Sequence, residues 1–316
     1  MKKISIVSSC YNEENNIIPL VNRLYDVIRS IPNYEFEFIF IDNGSLDKTA
    51  DKLRLVAKKD TRIKVIINTR NFGWIRSPYY VFLQGSGDAV IGLASDLQDP
   101  PELIPEFIQK WENGAKIVGA VKVKSNESIL MVIGRKLFYR ILSSLSEIEL
   151  LNDYSGFGLY DKEVVNTLKL YNDPYPYFRG LIAETGYKIE KVYFNKPNRA
   201  TGYSKSNILN LLDVVMLGLT SHSKLPLRFA TLTGVFLAIM SFCTSIFYLI
   251  YKILYWKDFS LGLAPLIIGI FFMLSIQMLF IGLIGEYIVS INIKIANKPL
   301  VIVSEKINFD INENYK

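Results

Sequence analysis

Two long stretches without a charged residue dominate the last third of this 316-residue chain. Phe229–Tyr251 has none in 23 positions, and Phe259–Gly285 has none in 27. About 20 apolar residues in an α-helix, each rising about 1.5 Å, cross the ~30 Å hydrocarbon core of a bilayer. Each stretch is therefore predicted to be a membrane-spanning helix, with a buried helix of a soluble protein as the alternative. Because residues 252–258 are the whole connection, the two stretches together predict a helical hairpin.

Two spans return the chain to the side on which it started. Basic residues lie outside the pair and also in the connection: Lys224, Arg228, Lys294 and Lys298 outside, and Lys252 and Lys257 between the spans. This small asymmetry permits both termini in the cytoplasm. Gln277 and Gly282 suit helix packing inside the bilayer, which leaves a homo-oligomer open. Ahead of the spans, apolar residues from Ile208 to Leu219 share one helical face, which predicts an amphipathic helix at the membrane interface or a core helix.

The first 205 residues have a different pattern, in which short apolar runs alternate with helical periodicity. Strands are predicted at residues 4–8, 36–41, 65–67, 88–94 and 116–121, and helices at 17–28, 50–57 and 102–113. Strands that alternate with helices at this pitch predict an α/β fold with a mostly parallel, doubly wound sheet.

Charge and cysteine content restrict the setting of this domain only loosely. The chain has 36 Lys and Arg against 30 Asp and Glu, an excess compatible with an anionic membrane surface, phosphates or nucleic acid. Cys10 and Cys243 lie far apart and form neither a disulfide framework nor a zinc motif, which agrees with a reducing compartment. The apolar run after Met1 is too short for a signal peptide, so the domain is expected in the cytosol.

Polar residues follow several predicted strands where those strands end. Glu13, Asp42 and Asp96 are acids at successive strand ends, and the crevice beyond such ends is the usual ligand site of an open α/β sheet. No Gly-x-Gly-x-x-Gly turn follows the first strand and no Walker loop occurs, which argues against dinucleotide and P-loop enzymes. Asp96 and Gln98 offer oxygen ligands that suit Mg²⁺ or Mn²⁺ held with substrate phosphates. Alternatively, Asp96 only caps the following helix.

Several of these stretches resemble one enzyme family. Asp96-Leu-Gln-Asp-Pro-Pro-Glu102 resembles the signature of family 2 glycosyltransferases of the polyprenyl-phosphate sugar synthase type, in which Asp-Ala-Asp-Leu-Gln is usual and Ala94 here replaces the first acid. Tyr11-Asn-Glu-Glu14 and Asp42-Asn-Gly-Ser45, normally Asp-Asp-Gly-Ser, resemble the two nucleotide-binding loops. Arg70-Asn-Phe-Gly73 resembles a third stretch near the diphosphate, although Trp74-Ile-Arg76 departs from its usual continuation.

The resemblance implies a GT-A-like fold and a role for each matching residue. It implies that Asp96 and Gln98 hold Mg²⁺ or Mn²⁺, that Lys122 and Arg135 face the phosphate of a lipid acceptor, and that Asp96 and Asp153 are catalytic. Asp153 would orient the acceptor or a sugar hydroxyl, or it fixes its loop, since an anionic phosphate monoester needs no general base. The implied nucleotide-sugar-binding residues are Tyr11, Asn12, Glu13, Asp42, Arg70, Arg199, Ser204 and Lys205.

The implied activity is inverting transfer of a hexose-type sugar from a nucleotide sugar to undecaprenyl phosphate or a similar polyprenyl phosphate, for cell-envelope glycan modification. A UDP-hexose donor is favoured over GDP-mannose, and no nucleic-acid partner is expected. The expected organisation is a cytoplasmic catalytic domain at 1–205, an interface helix and linker at 206–228, two transmembrane helices at 229–290 and a cytoplasmic tail at 291–316. This makes a multi-pass protein of the plasma (inner) membrane.

Three alternatives to this function remain open. A processive polysaccharide synthase would be expected to carry Gln-x-x-Arg-Trp, and no tryptophan here follows an arginine. Direct transfer to a glycan or glycolipid is disfavoured only by the hairpin and the basic residues. A degenerate transferase acting as a membrane scaffold is favoured by Ala94 and Asn43 and opposed by the retained Asp96 and Gln98.

Overall fold

The protein is described by a computed structural model that covers residues 1–123, 154–171, 173–195, 197, 225–254, 263–296 and 298–309. The strands in this part of the chain are β1 (Lys2–Cys10), β2 (Tyr34–Asp42), β3 (Ile63–Asn68), β4 (Ala89–Gly92), β5 (Ile117–Lys122), β6 (Tyr154–Asp161), β7 (Ile189–Phe194) and β8 (Val303–Ile307). The helices are α1 (Ile17–Arg29), α2 (Thr49–Lys59), α3 (Gly73–Leu83), α4 (Ile104–Glu112), α5 (Lys162–Leu170), α6 (Phe178–Glu184), α7 (Leu225–Leu254) and α8 (Leu263–Ile295).

The strands form one sheet in the order β7-β5-β6-β4-β1-β2-β3-β8. β1 is parallel to both β2 and β4, β2 is parallel to β3, and β5 is parallel to β7. β6 is antiparallel to both β4 and β5, so these two strands run in the same direction. The carboxyl ends of β1 to β5 and of β7 consequently lie at one edge of the sheet, called the carboxyl edge below.

Helices cover both faces of this sheet because alternate strand residues point to opposite sides. On one face, residues such as Ile6, Phe38 and Ile91 pack with α1, α2 and α4. On the other face, Val7, Ile39 and Val90 pack with α3, α5 and α6. The near-continuous apolar strands are typical of a parallel sheet buried on both sides.

The predicted strands and helices of the first 122 residues are confirmed, with ends within a few residues of the predicted ones. The helix predicted at 102–113 begins as a 3₁₀ turn at Pro101–Leu103 and continues as α4. The sequence analysis did not predict the antiparallel strands β6 and β8, so the sheet is mostly and not entirely parallel.

The first charge-free stretch lies in the 30-residue helix α7, and residues 263–285 of the second lie in the 33-residue helix α8. Large apolar side chains on both helices are exposed, among them Leu232, Phe236, Phe272 and Met278. In the described part of the chain, one stretch, the 24 residues Phe272–Ile295 with mean hydropathy 1.8, is long and apolar enough to cross a membrane on these two criteria. The predicted interface helix up to residue 224, residues 255–258 of the predicted connection and residues 259–262 of the second stretch lie outside the described residues.

The chain returns to the sheet after α8. β8 pairs antiparallel with β3, with Val65 opposite Ile307 and Ile67 opposite Glu305. The Glu305 carboxylate also accepts from the Arg54 guanidinium of α2 at 2.7 Å. Residues 303–307 of the predicted tail are therefore part of the same sheet as β1 to β7.

Candidate functional site

Hydrogen bonds join the loops that follow β1 and β2. Asn12 adopts a left-handed backbone conformation (φ 52°), and its side-chain oxygen accepts from the Leu46 amide at 2.8 Å. Because Asn12 bridges the two loops in this way, Glu13 and Asp42 are held on neighbouring segments of the carboxyl edge. Three backbone amides of the first loop donate to side chains of the second: Asn12 to Ser45 Oγ (2.9 Å), Glu13 to Thr49 Oγ1 (2.8 Å) and Glu14 to Asp47 Oδ2 (3.2 Å).

Asp42 is the most deeply buried of the predicted site residues that the structure describes, with 1% of its surface exposed. Its Oδ2 accepts from the Ser45 amide at 3.1 Å, whereas Oδ1 is buried without a hydrogen-bond partner among the residues that the structure describes. A buried carboxylate oxygen without a donor is costly. A ligand hydroxyl would remove that cost, which is what a bound ribose offers. Glu13 lies nearby and accepts from Asn16 Nδ2 at 2.5 Å, and Tyr11 beside it is half-buried.

Asn43 fastens the loop after β3 to the loop after β2. Its side-chain nitrogen donates to Asn71 Oδ1 and to the Gly73 carbonyl, both at 3.0 Å. Its side-chain oxygen accepts from the Phe72 amide at 2.9 Å and from Asn68 Nδ2 at 3.1 Å. An asparagine, which both donates and accepts, thus makes four hydrogen bonds here and sets the path of the segment that carries Arg70.

Gly44 allows these two loops to approach closely. It has φ 70°, and a Cβ built on it would lie 2.4 Å from the Arg70 carbonyl carbon. A larger residue would therefore push Arg70 away from Asp42.

Burial and local donors set the pKa of Asp47, in the loop after β2, and of Cys10, at the end of β1. Burial raises the pKa of Asp47, but hydrogen bonds from Thr49 and from the Glu14 amide outweigh it and leave the pKa below its ordinary value. Burial raises the pKa of the Cys10 thiol far above its usual range, so Cys10 stays protonated at neutral pH. Cys10 is thereby excluded as a nucleophile, because the thiolate and not the thiol is the reactive form.

The loop after β4 carries Asp96 and Gln98. Ser95 Oγ donates to the Ser9 carbonyl at 3.0 Å, and Asp99 accepts from the Ala94 amide at 2.9 Å, so the loop is tied to the end of β1 and to itself. Asp96 Oδ1 accepts from the Gln98 amide at 3.2 Å, across a left-handed residue at position 97 (φ 62°). Both predicted ligands are half-buried.

The side-chain amide of Gln98 contacts the chain beyond the end of β7. Gln98 Nε2 donates to the Pro197 carbonyl, beyond the end of β7, at 3.4 Å. This contact directs the amide oxygen away from Pro197. Across the described ranges, no group of three or more His, Cys, Asp and Glu side chains converges in a way that could hold a metal. Asp96 and Gln98 are instead a carboxylate and an amide oxygen, the ligand types that a Mg²⁺ shared with phosphates takes.

Of the predicted acceptor-phosphate residues, the structure describes Lys122. Lys122 is the last residue of β5 and half-buried, at the same carboxyl edge, where its neighbour Val121 lies opposite Tyr154 of β6. Arg135, Asp153, Arg199, Ser204 and Lys205 lie outside the described residues, and their predicted roles stay predictions.

A cavity of about 320 Å³ opens beside the β4 loop, on the face covered by α3. Ala94 and Asp99 line it together with the Arg179 side chain, whose guanidinium donates to the Tyr154 carbonyl at 3.2 Å. Its other walls are mostly apolar and include Trp74 and Phe178. The sequence analysis did not predict this cavity. The signal that pointed toward it was Ala94, because alanine in place of the usual acid leaves space and removes a charge.

Comparisons with known proteins identify a family and several relatives that are similar to this chain. The profile of glycosyl transferase family 2 matches residues 5–169. An uncharacterized glycosyltransferase of Synechocystis sp. is 32% identical over 304 residues, covering 96% of this chain and 95% of that protein. The SfII prophage-derived bactoprenol glucosyl transferase of Shigella flexneri is also 32% identical over 304 residues, with 96% and 98% covered. The glucosyl-3-phosphoglycerate synthase structure from Mycobacterium tuberculosis aligns with 69% of this chain and 78% of its own at 17% identity and TM-score 0.45.

Proposed function

The chain belongs to glycosyl transferase family 2, and from this premise we propose that it transfers a hexose-type sugar, with inversion, from a nucleotide sugar to undecaprenyl phosphate or a similar polyprenyl phosphate. It is a glycosyltransferase with a GT-A-like, mostly parallel sheet. The observation that carries the proposal is the meeting of the β1, β2 and β3 loops at one edge around the unsatisfied oxygen of Asp42. The bactoprenol glucosyl transferase relatives support a lipid phosphate as acceptor.

The nucleotide would bind against the joined loops. Asp42 would accept a ribose hydroxyl through its unsatisfied oxygen, with Glu13 and Tyr11 beside the base. Arg70 would neutralise the diphosphate. Asn12 would act mainly by holding the loops together, since its side-chain oxygen is engaged by Leu46. We favour a UDP-hexose over GDP-mannose.

Asp96 and Gln98 would hold Mg²⁺ or Mn²⁺ against the diphosphate, and their oxygens fit a hard cation. Such a cation stabilises the negative charge that develops on the leaving nucleoside diphosphate. In the transfer itself, a phosphate oxygen of the acceptor attacks the anomeric carbon from the face opposite the diphosphate. The bond from that carbon to the diphosphate oxygen breaks, and the nucleoside diphosphate leaves with the electron pair. Inversion follows from attack on the opposite face.

The acceptor would approach from the β5 side of the edge. Lys122 would hold its phosphate as a point charge, and Arg135 would add a two-pronged contact. Asp153 would orient the acceptor or a sugar hydroxyl. Arg199, Ser204 and Lys205 would complete the donor phosphate site.

The membrane arrangement belongs to this proposal as well. Residues 1–205 would form the cytoplasmic catalytic domain, residues 206–228 an interface segment, and residues 229–290 two spans of a plasma-membrane protein. The exposed apolar side chains of α7 and α8 support contact with lipid. The tail from 291 would be cytoplasmic and would extend the catalytic sheet through β8.

Sugar transfer by purified protein in detergent tests the proposal. The assay contains undecaprenyl phosphate, Mg²⁺ or Mn²⁺ and a panel of radiolabelled nucleotide sugars. We expect one donor to give a metal-dependent lipid product, and Asp96→Ala to lower its rate by a factor of about 100 or more, because one electrostatic contact to the leaving group is worth that much. Glu112→Ala removes an exposed carboxylate from the last residue of α4, where it pairs with Lys2 at the start of β1 and so at the opposite edge of the sheet; it is the matched control and should transfer normally. Folded protein that turns over no donor would refute the enzymatic function, and a product from dephosphorylated acceptor would refute the phosphate as nucleophile.

A further inference from the structure

Two arginines share one aromatic ring at the start of α3. The guanidinium carbon of Arg70 lies 4.1 Å from the centre of the Phe72 ring, and that of Arg76 lies 5.6 Å from it. The ring itself is buried, with 7% exposed. Each guanidinium therefore rests on a fixed apolar surface, and its position is restricted by that contact. Arg70 and Arg76 are called the arginine pair below.

The arginine pair has no acidic partner in the part of the chain that the structure describes. Arg70 donates to the Asn71 carbonyl at 3.0 Å, and Arg76 donates to the Pro299 carbonyl. Arg76 Nε is buried and lacks a partner among those residues. Burial and then the charge of Arg70 lower the pKa of Arg76. Two like charges held close together without a counter-ion are unfavourable in the free protein, and an anion placed between them would reverse the sign of that interaction.

The segment after α8 determines where Arg76 lies. Pro299 comes four residues after the last residue of α8, and its carbonyl accepts from the Arg76 guanidinium. Three residues after Pro299, the Ile302 carbonyl accepts from the amide of Thr69 at 3.0 Å. Thr69 is the residue directly before Arg70. Ser304 Oγ donates to the Ile67 carbonyl at 2.8 Å. Residues 299–304 thus contact the chain on both sides of Arg70: Ile67 and Thr69 before it, and Arg76 of α3 after it.

We propose that Arg76 is a second phosphate-binding residue of the enzyme, that it grips a substrate phosphate together with Arg70, and that the segment 299–304 positions it. Each guanidinium has five N–H donors, and one of them donates to a carbonyl, so the others have no hydrogen-bond acceptor among the described residues. Phosphate oxygens suit such a pair because arginine binds them in a two-pronged geometry. This inference rests on the proposed function for the identity of the substrates. The shared chemistry is a phosphate, either the donor diphosphate or the acceptor monoester.

Direct binding measurements separate these two sources. UDP and farnesyl phosphate, a short lipid monophosphate, are titrated separately into the full-length protein in detergent. We expect Arg76→Ala to weaken one of the two ligands by about tenfold or more, since a hydrogen bond to a charged group is worth about 1.5–3 kcal/mol. Weakened UDP assigns the donor diphosphate, and weakened farnesyl phosphate assigns the acceptor. Arg76→Lys keeps the charge but loses the two-pronged geometry, and it should bind with intermediate strength.

Arg54→Ala is the matched control. Arg54 is also an arginine that contacts the segment after α8, through Glu305, but it lies on α2 and outside the arginine pair. We expect Arg54→Ala to bind both ligands as the wild type does. Unchanged affinity of Arg76→Ala for both ligands would overturn the proposal, and so would an equal loss in Arg54→Ala, which would make docking of the tail the relevant factor. The binding measurement involves no sugar transfer. It can therefore contradict phosphate binding by the arginine pair while the transfer assay supports the proposed function, and the reverse is also possible.

Discussion

At the residue scale, Asn43 shows how a departure from a family motif can follow from its neighbours. The resembled motif has aspartate at this position, and its absence alone suggests lost function. In the structure the Asn43 side-chain nitrogen donates twice, to Asn71 and to Gly73, which a carboxylate cannot do. Asn43 is therefore explained by the third loop, and it gives no support to the scaffold alternative. At position 94, alanine in place of the usual acid both enlarges the cavity beside the β4 loop and removes a negative charge from it.

The residue next to it, Gly44, gives a prediction about loop packing. We expect Gly44→Ala to lower the free energy of unfolding by about 1–3 kcal/mol more than Gly186→Ala does, because only at position 44 does the new Cβ collide with backbone. The two glycines have nearly equal φ values, 70° and 71°, so the cost of the backbone conformation is matched. At Gly186 no atom lies within 4 Å of an added Cβ. Thermal unfolding in detergent measures the difference, and a higher KM for the donor should accompany the loss. Equal effects of the two substitutions would contradict the close approach of Arg70.

At the element scale, a buried charge joins the strands at the end of the sheet opposite the candidate site. Glu37 of β2 is 2% exposed and accepts from Ser5 Oγ at 2.5 Å and from the Ser86 amide at 2.8 Å. The ammonium groups of Lys3 on β1 and Lys64 on β3 lie 2.8 and 3.2 Å from its carboxylate. Three adjacent strands are thus connected through one side chain, which supports the register that brings their carboxyl ends together.

The pKa of Glu37 turns this arrangement into a prediction about pH. Burial raises the pKa, but donors from Lys3, Ser5 and Ser86 outweigh it and bring the pKa from 4.5 to about 2. A folded-state pKa below the unfolded one means that the stabilisation is complete above pH 4.5 and is lost as the pH falls toward 2. We expect Glu37→Gln to cost about 3 kcal/mol of unfolding free energy at pH 7, and the gap to the wild type to narrow at pH 3.

Denaturant unfolding at the two pH values measures that gap. Glu35→Gln, which neutralises an exposed carboxylate two residues away on the same strand, should change stability little at either pH. A gap for Glu37→Gln that is as large at pH 3 as at pH 7 would show that the loss comes from packing and not from the charge.

At the scale of the whole molecule, β8 restricts how the chain can cross a membrane. β1 to β7 and β8 lie in one sheet, so the strands that precede the two long helices and the strand that follows them are on the same side of any bilayer. The number of crossings between them must therefore be even. A single span at Phe272–Ile295, the stretch that passes on length and composition, would not satisfy this condition. The two-span hairpin proposed above satisfies it.

Cysteine labelling in intact cells tests this topology. In a Cys243→Ser background, we expect Lys257→Cys, in the connection between the helices, to react with a membrane-impermeant maleimide added from outside. Lys58→Cys, an exposed position on α2, should react only after the membrane is permeabilised, and the buried Cys10 should stay unlabelled in both cases. Protection of Lys257→Cys in intact cells would contradict the hairpin.

The sequence by itself determined the local elements and the types of residue at their ends. Helical and strand periodicity, the charge-free stretches and the acids after β1, β2 and β4 all depend on near neighbours, so the alternating order and the positions of Glu13, Asp42 and Asp96 could be predicted. Only the tertiary structure decided which distant segments meet. The Thr69–Ile302 contact joins residues 233 positions apart, and no local pattern encodes such a pair. The placement of β8, the hydrogen bonds of Asn43, the cavity beside Ala94 and the pairing of Arg70 with Arg76 arise in this way, because the partner that satisfies a polar group is chosen by the fold and not by its sequence neighbours.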